Sequence, residues 1–187
     1  AGSGNVTTNE INKFPFASDD NATDVGDLTE IRHAACGQSS TVSGYASGGN
    51  LGAPTYSVTV TIDKFPFSSD ANATDVGDLT QAGAAVSGQS SSDSGYTSGG
   101  STSASPVTNV IQKFPFSSDS NATDVGDLID SRQSATGQSS TASGYVSGGQ
   151  PSAIDKSVIQ KFPFSSDSNA TDVGDLFEAR LGGSGQQ

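Results

Sequence analysis

The chain has 187 residues, of which 32% are hydrophobic; it carries 23 glycines, neither Met nor Trp, and a net charge of −12. So few apolar side chains cannot fill a thick core, and so much negative charge repels nucleic-acid backbones and anionic membrane surfaces, so neither is an expected partner. No run approaches the roughly 20 apolar residues that span a bilayer, so membrane insertion is not expected, and the lone Cys36 cannot form an internal disulfide.

Low hydrophobicity with high net charge ordinarily means disorder, but here the apolar positions recur with a fixed period. Lys-Phe-Pro-Phe begins at Lys13, Lys64, Lys113 and Lys161, in steps of 51, 49 and 48 residues. Each copy runs into an acidic segment that ends Asn-Ala-Thr-Asp-Val-Gly-Asp-Leu at Leu28, Leu79, Leu128 and Leu176. A second block, Gly-Gln-Ser-Ser followed by Ser-Gly-Tyr-x-Ser-Gly-Gly, starts at Gly37, Gly88 and Gly137. The chain therefore reads as one repeat domain, 1–187, of four roughly 50-residue units at about 1–34, 35–82, 83–131 and 132–187.

No unit has a 3.6-residue apolar period, whereas short runs bounded by Gly, Pro, Asn, Asp and Ser recur at the spacing of small antiparallel strands. The expected class is all-β, with four strands a to d in every unit and no helix. The chain enters just before strand c of the first unit, turns through Asp19 to Asn21, and leaves through strand d. Strand a then spans Ala35 to Ser40 and strand b Ser43 to Gly48, followed by a loop that varies between units, as residues 50–57 and 101–107 show. In the third unit strand c is Val110 to Phe116 and strand d Thr123 to Leu128. The turn Ser118-Asp119-Ser120-Asn121 between them, rich in Asx-turn formers, makes c–d a hairpin.

Strand alternation puts both phenylalanines of a unit on one face. Phe14, Phe16, Phe65, Phe67, Phe114, Phe116, Phe162 and Phe164, with the b-strand tyrosines Tyr45, Tyr96 and Tyr145, are the expected core. A single sheet cannot bury that face, so neighbouring units must stack on one another.

The sharpest chemical pattern is Asp-x-Asn-Ala-Thr-Asp-Val-Gly-Asp. It presents Asp19, Asn21, Asp24 and Asp27; Asp70, Asn72, Asp75 and Asp78; Asp119, Asn121, Asp124 and Asp127; and Asp167, Asn169, Asp172 and Asp175. Oxygen ligands at such spacing suit a calcium loop, although Gly stands at position 8 rather than 6 and no Glu follows at position 12. The competing reading is a plain hairpin turn, with Asp119 and Asn121 capping it through backbone N–H groups and Asp124 and Asp127 solvated or paired with the Arg132 type of position. Calcium is thus the one candidate cofactor. The same asparagines, with Asn5, lie in Asn-x-Thr sequons and read as turn residues. His33 and Cys36 occur in one unit only and lack an orienting partner, so a nucleophile pair is not expected. No His cluster or phosphate-cradling loop is present, and the chain reads as no enzyme.

The order of features in each unit resembles a kelch-type β-propeller blade: an Arg after strand d (Arg32, Arg132, Arg180), a small-residue strand, a Gly-Tyr strand, a diglycine (Gly48-Gly49, Gly99-Gly100, Gly148-Gly149) and an apolar strand. The family's Trp after the c–d turn is absent, and Gly83 stands where the second unit's Arg would be. The resemblance implies a kelch-like β-propeller of four-stranded blades, with the two ends sharing a blade, forming part of a larger ring, or meeting those of other subunits. Lys-Phe-Pro-Phe and Asp-Val-Gly-Asp-Leu also resemble repeats of virion and tail-fibre proteins of aquatic bacteriophages. That implies an extracellular, virion-borne structural or host-recognition protein, whose partners are other virion proteins, copies of itself, or a host-surface glycan or receptor. The alternative is a secreted glycan-binding or calcium-binding adhesin module of a cell.

Overall fold

The computed structural model describes residues 7–183 and 185, apart from 53, 56, 104–106 and 152–153. Asn5 and most of the 184–187 tail lie outside the described residues.

Short polar strands separated by Ser-, Asn- and Gly-rich turns fold as antiparallel hairpins. The first unit supplies β1 (Glu10–Lys13) and β2 (Thr23–Asp27), then the short β3 (Arg32–His33). The second supplies β4 (Cys36–Ser39), β5 (Ser43–Ser47), the short β6 (Asn50–Leu51), β7 (Thr61–Pro66) and β8 (Thr74–Asp78). The third follows with β9 (Ser87–Ser90), β10 (Ser94–Ser98), β11 (Val110–Pro115) and β12 (Thr123–Asp127). The fourth has β13 (Thr136–Ser139), β14 (Ser143–Ser147), β15 (Val158–Pro163) and β16 (Thr171–Asp175). The last three units each form one four-stranded antiparallel sheet in the order a-b-c-d, and there is no helix among the described residues.

The first unit enters at strand c, where the sequence places it: among the described residues its strands c and d form the two-stranded sheet β1–β2, and β3 follows.

Local chemistry explains the hairpins. The hydroxyl of Ser40 accepts the backbone N–H groups of Val42 and Ser43 and so closes the a–b turn; Ser91 and Ser140 repeat this for the next two units. Strands c and d slip register at a bulge between Ile62 and Asp63, Ile111 and Gln112, and Ile159 and Gln160. Opposite it, Gly77 and Gly126 have φ of 152° and 149°, and a Cβ on Gly126 would meet the Ser168 backbone of the next unit. Only glycine lets the units approach so closely there.

The innermost strands β4, β9 and β13 lie side by side. Two apolar clusters fill the gaps between consecutive sheets. One joins Tyr45, Ile62 and Leu79 to Phe114 and Ala122, with Phe116 against it; the other joins Tyr96, Ile111 and Leu128 to Val146, Phe162 and Ala170, with Phe164 against it. Phe114 and Phe116 share one face, as alternation expects, and both meet Tyr45 at ring separations of 5.5 and 4.8 Å. Tyr96 meets Phe162 and Phe164 at the same two separations.

The expected aromatic core is only partly a core. Phe114 and Phe162 are 1% and 2% exposed, whereas Phe14, Phe16 and Phe67 are 58%, 95% and 51% exposed. Phe65 and Tyr145 are half-buried. The reason is positional: each Phe pair is covered by the tyrosine of the preceding sheet. Among the described residues the sheet before that of β7 is β1–β2, which has no tyrosine strand, and no sheet lies before β1.

Candidate functional site

Antiparallel order a-b-c-d places the a–b and c–d turns at one end of every sheet, and the b–c loops with the d–a connectors at the other. The acidic turns and the variable loops therefore occupy opposite ends.

At the turn end the asparagines and first aspartates reach across to the preceding unit instead of capping their own turns. The Oδ1 atoms of Asn72, Asn121 and Asn169 accept the N–H of Asp27, Asp78 and Asp127 at 3.0–3.1 Å. Beside them Lys13, Lys64 and Lys113 pair with Asp70, Asp119 and Asp167 at 2.5, 2.9 and 3.1 Å. Lys64 is held above its ordinary range chiefly by its hydrogen bond to Asp119. Asp24, Asp75, Asp124 and Asp172 instead accept the N–H two residues on, from Gly26, Gly77, Gly126 and Gly174. Asp175 accepts Ser157, and Arg132 takes Asp130 rather than Asp124 or Asp127. Oxygens that a calcium loop would converge on one ion thus serve separate donors, and no three His, Cys, Asp or Glu side chains gather among the described residues. Among the described residues Asn21 and Asp19 have no such interunit partner.

At the loop end the residues after the diglycine pair back onto the d–a connector: β6 with β3, Ser101 with Ala84, and Gln150 with Gln133. The connectors are linked in turn by Ala85 N–H to Ala34, Ser134 N–H to Ala85 and Gly182 N–H to Ser134, all with left-handed backbone. This rim is one continuous hydrogen-bonded frame, from which loops of different length project.

The inner groove, about 350 Å³, is lined by Gly37, Gly88, Gly137, Gln138 and Ser139 of the a strands, with Gly183 beside Thr136. The buried glutamines next to the lining glycines of the first two a strands bond within the protein and do not line the groove. Gln38 Nε2 donates to the Tyr96 carbonyl at 2.9 Å and takes the Ser47 hydroxyl on Oε1; Gln89 repeats both contacts with Tyr145 and Ser98. Cys36 is buried among Ser47, Gln38 and Thr97, and burial pushes its thiol up. His33 is exposed, so the two residues form no reactive pair.

Sequence reasoning placed the Arg at the unit boundary but missed what it meets. Arg32 crosses to the next sheet and binds Asp63 at 2.6 Å, both side chains fully buried, with added bonds to the carbonyls of Thr61 and Ala46. Where Gly83 replaces the Arg, the acid position is neutral Gln112, which accepts Thr80 and Gln81 N–H groups. The third junction keeps Arg132 opposite a neutral Gln160, and there both side chains meet Asp130 instead.

No family model matches the chain, and no curated protein sequence does either. Among solved structures the chain is similar to YjhT, with a TM-score of 0.77 and 9% identity, over 92% of this chain and 61% of YjhT. The chain spans about three fifths of that structure, and the likeness concerns the fold alone. What the sheets define is an all-β, β-propeller-like repeat.

Proposed function

We propose that the chain is a non-enzymatic, kelch-like propeller segment that serves as a virion structural or host-recognition module outside the cell, presenting its b–c loops to a host-surface glycan, receptor or neighbouring virion protein. The observation that carries this reading is the contrast between sheets repeated almost residue for residue and loops that differ after each diglycine, all anchored on one frame. A scaffold that holds geometry constant while loops vary is built for recognition. The likeness of Lys-Phe-Pro-Phe and Asp-Val-Gly-Asp-Leu to phage virion repeats supports the virion setting.

The test has two arms. Mass spectrometry of the native source should find the chain co-purifying with major capsid or tail proteins. A glycan array and host-cell binding assay should give binding that is lost when residues 50–57 are exchanged for 101–107, with unchanged melting. Co-purification with cell-envelope components in place of virion proteins would favour a secreted adhesin module instead. Binding indifferent to loop exchange would remove the recognition reading.

A further inference from the structure

The connector between the first two units holds both feet of the loop that follows β5. At the near foot Arg32 and His33 pair with Leu51 and Asn50, and the Gly52 N–H bonds the Ile31 carbonyl. At the far foot Glu30 Oε2 accepts the hydroxyls of the buried Thr59 and Thr61, both at 3.1 Å, and the two hydroxyls lie 2.9 Å apart. One atom is left out of this arrangement. Arg32 Nε is buried without a hydrogen-bond partner, the one such side-chain atom among the described residues, and a buried donor without an acceptor has given up its bond to water for nothing. The last junction shows what it lacks: Arg132 Nε donates at 3.0 Å to Asp130, the acid two residues before it. The acid two residues before Arg32 is Glu30, the side chain spent on the loop foot.

We propose that Glu30 is a two-position latch on this loop: it either holds Thr59 and Thr61 or turns to Arg32 Nε, and the far foot of the loop is fastened only in the first position. The two positions are balanced because each leaves one donor unmet. In the first that donor is Arg32 Nε; in the second it is a single threonine hydroxyl, since Thr59 and Thr61 continue to bond each other. Glutamate, one methylene longer than the Asp130 that serves Arg132, has the length to reach both. The other junctions each lack one of the two targets. Gln81 accepts the Thr108 hydroxyl but has Gly83 in place of the Arg; Asp130 has Arg132, but Lys156 stands at the position of Thr59, its N–H bonding Gly149 as that of Thr59 bonds Gly49. The latch acts on the anchorage of the loop, whatever the loop meets, so it is independent of the recognition reading. A ligand that binds one arrangement of the loop better than the other shifts the latch by that difference in affinity.

The test follows hydrogen exchange by NMR in the intact chain, at the amides of residues 57–61 and at Arg32 Nε–H, with Cys36 shielded from thiol reagents as the sign of an intact fold. Glu30→Asp, which copies the acid of the last junction, should speed exchange at the amides by at least about tenfold and slow it at Arg32 Nε–H by a similar factor. Replacing both threonines, Thr59→Val with Thr61→Val, should also slow Arg32 Nε–H, because Glu30 then has one target left. Glu30→Ala should free the loop foot without protecting Arg32, which separates a latch from a contact merely lost. Arg32 Nε–H exchange that is the same in wild type, Glu30→Asp and the double valine variant would overturn the proposal, as would contact of that proton with a bound water in all three.

Discussion

At the residue scale, the buried charges show how the repeat tolerates substitution. Arg32 and Asp63 are a fully desolvated pair, Gly83 and Gln112 its neutral counterpart, and Arg132 finds Asp130 two residues back. Removing one member strands the other. Asp63→Ala should therefore cost about 3–5 kcal/mol, whereas Arg32→Gly combined with Asp63→Gln, which recreates the second junction, should cost clearly less; urea midpoints of the three proteins decide. Cys36 gives a second prediction. Burial raises its thiol, and burial likewise raises Tyr45 and Tyr96. A raised folded value means stability is complete below the ordinary thiol range and is lost as pH rises through the folded value. Denaturant midpoints should fall on going from pH 7 to alkaline pH, less so in Cys36→Ala, and thiol reagents should label Cys36 only on unfolding. Much of this was illegible in the sequence. Arg32 and Arg132 were readable as boundary residues from their place after strand d, but nothing in the pattern says which donors satisfy Gln112 on the phenylalanine face until Thr80 and Gln81 are seen to meet it.

At the element scale, identical strings have different fates. Strand positions and the c–d hairpins were legible, because turn chemistry and alternation are local. Burial was not, because Lys-Phe-Pro-Phe is covered only if a tyrosine strand precedes it. The asparagines of the acidic turns were misread for the same reason: their partners are N–H groups of the previous unit, invisible in a pattern read within one unit. Phe114→Ala should cost about 3–5 kcal/mol, while Phe16→Ala, at a 95% exposed side chain, should shift stability by no more than about 0.5 kcal/mol. Thermal melting of the two variants separates a covered copy of the string from an uncovered one.

At the scale of the whole molecule, stability is a chain of junctions. Each of the two full junctions includes one aromatic stack, one Asn to N–H bond and one Lys–Asp pair. The first junction keeps the polar pair of contacts, Lys13 with Asp70 and Asn72 with Asp27, but has no stacked tyrosine. Exposed ion pairs contribute little, whereas a buried aromatic stack contributes its area and its ring geometry. In a linear array each unit's opening energy is its own stability plus that of the junctions it must break. The third sheet, β9 to β12, has a full junction on both sides; β1–β2 has one incomplete junction and only two strands. Native-state hydrogen exchange should therefore be slowest in β10 and β11, intermediate in β5 and β14, and fastest in β1 and β2. Tyr96→Ala should raise exchange in both the third and fourth sheets, whereas Tyr145→Ala should leave the third unchanged. Uniform protection across all four units would mean that the array opens as one body and that the junctions do not set its stability separately.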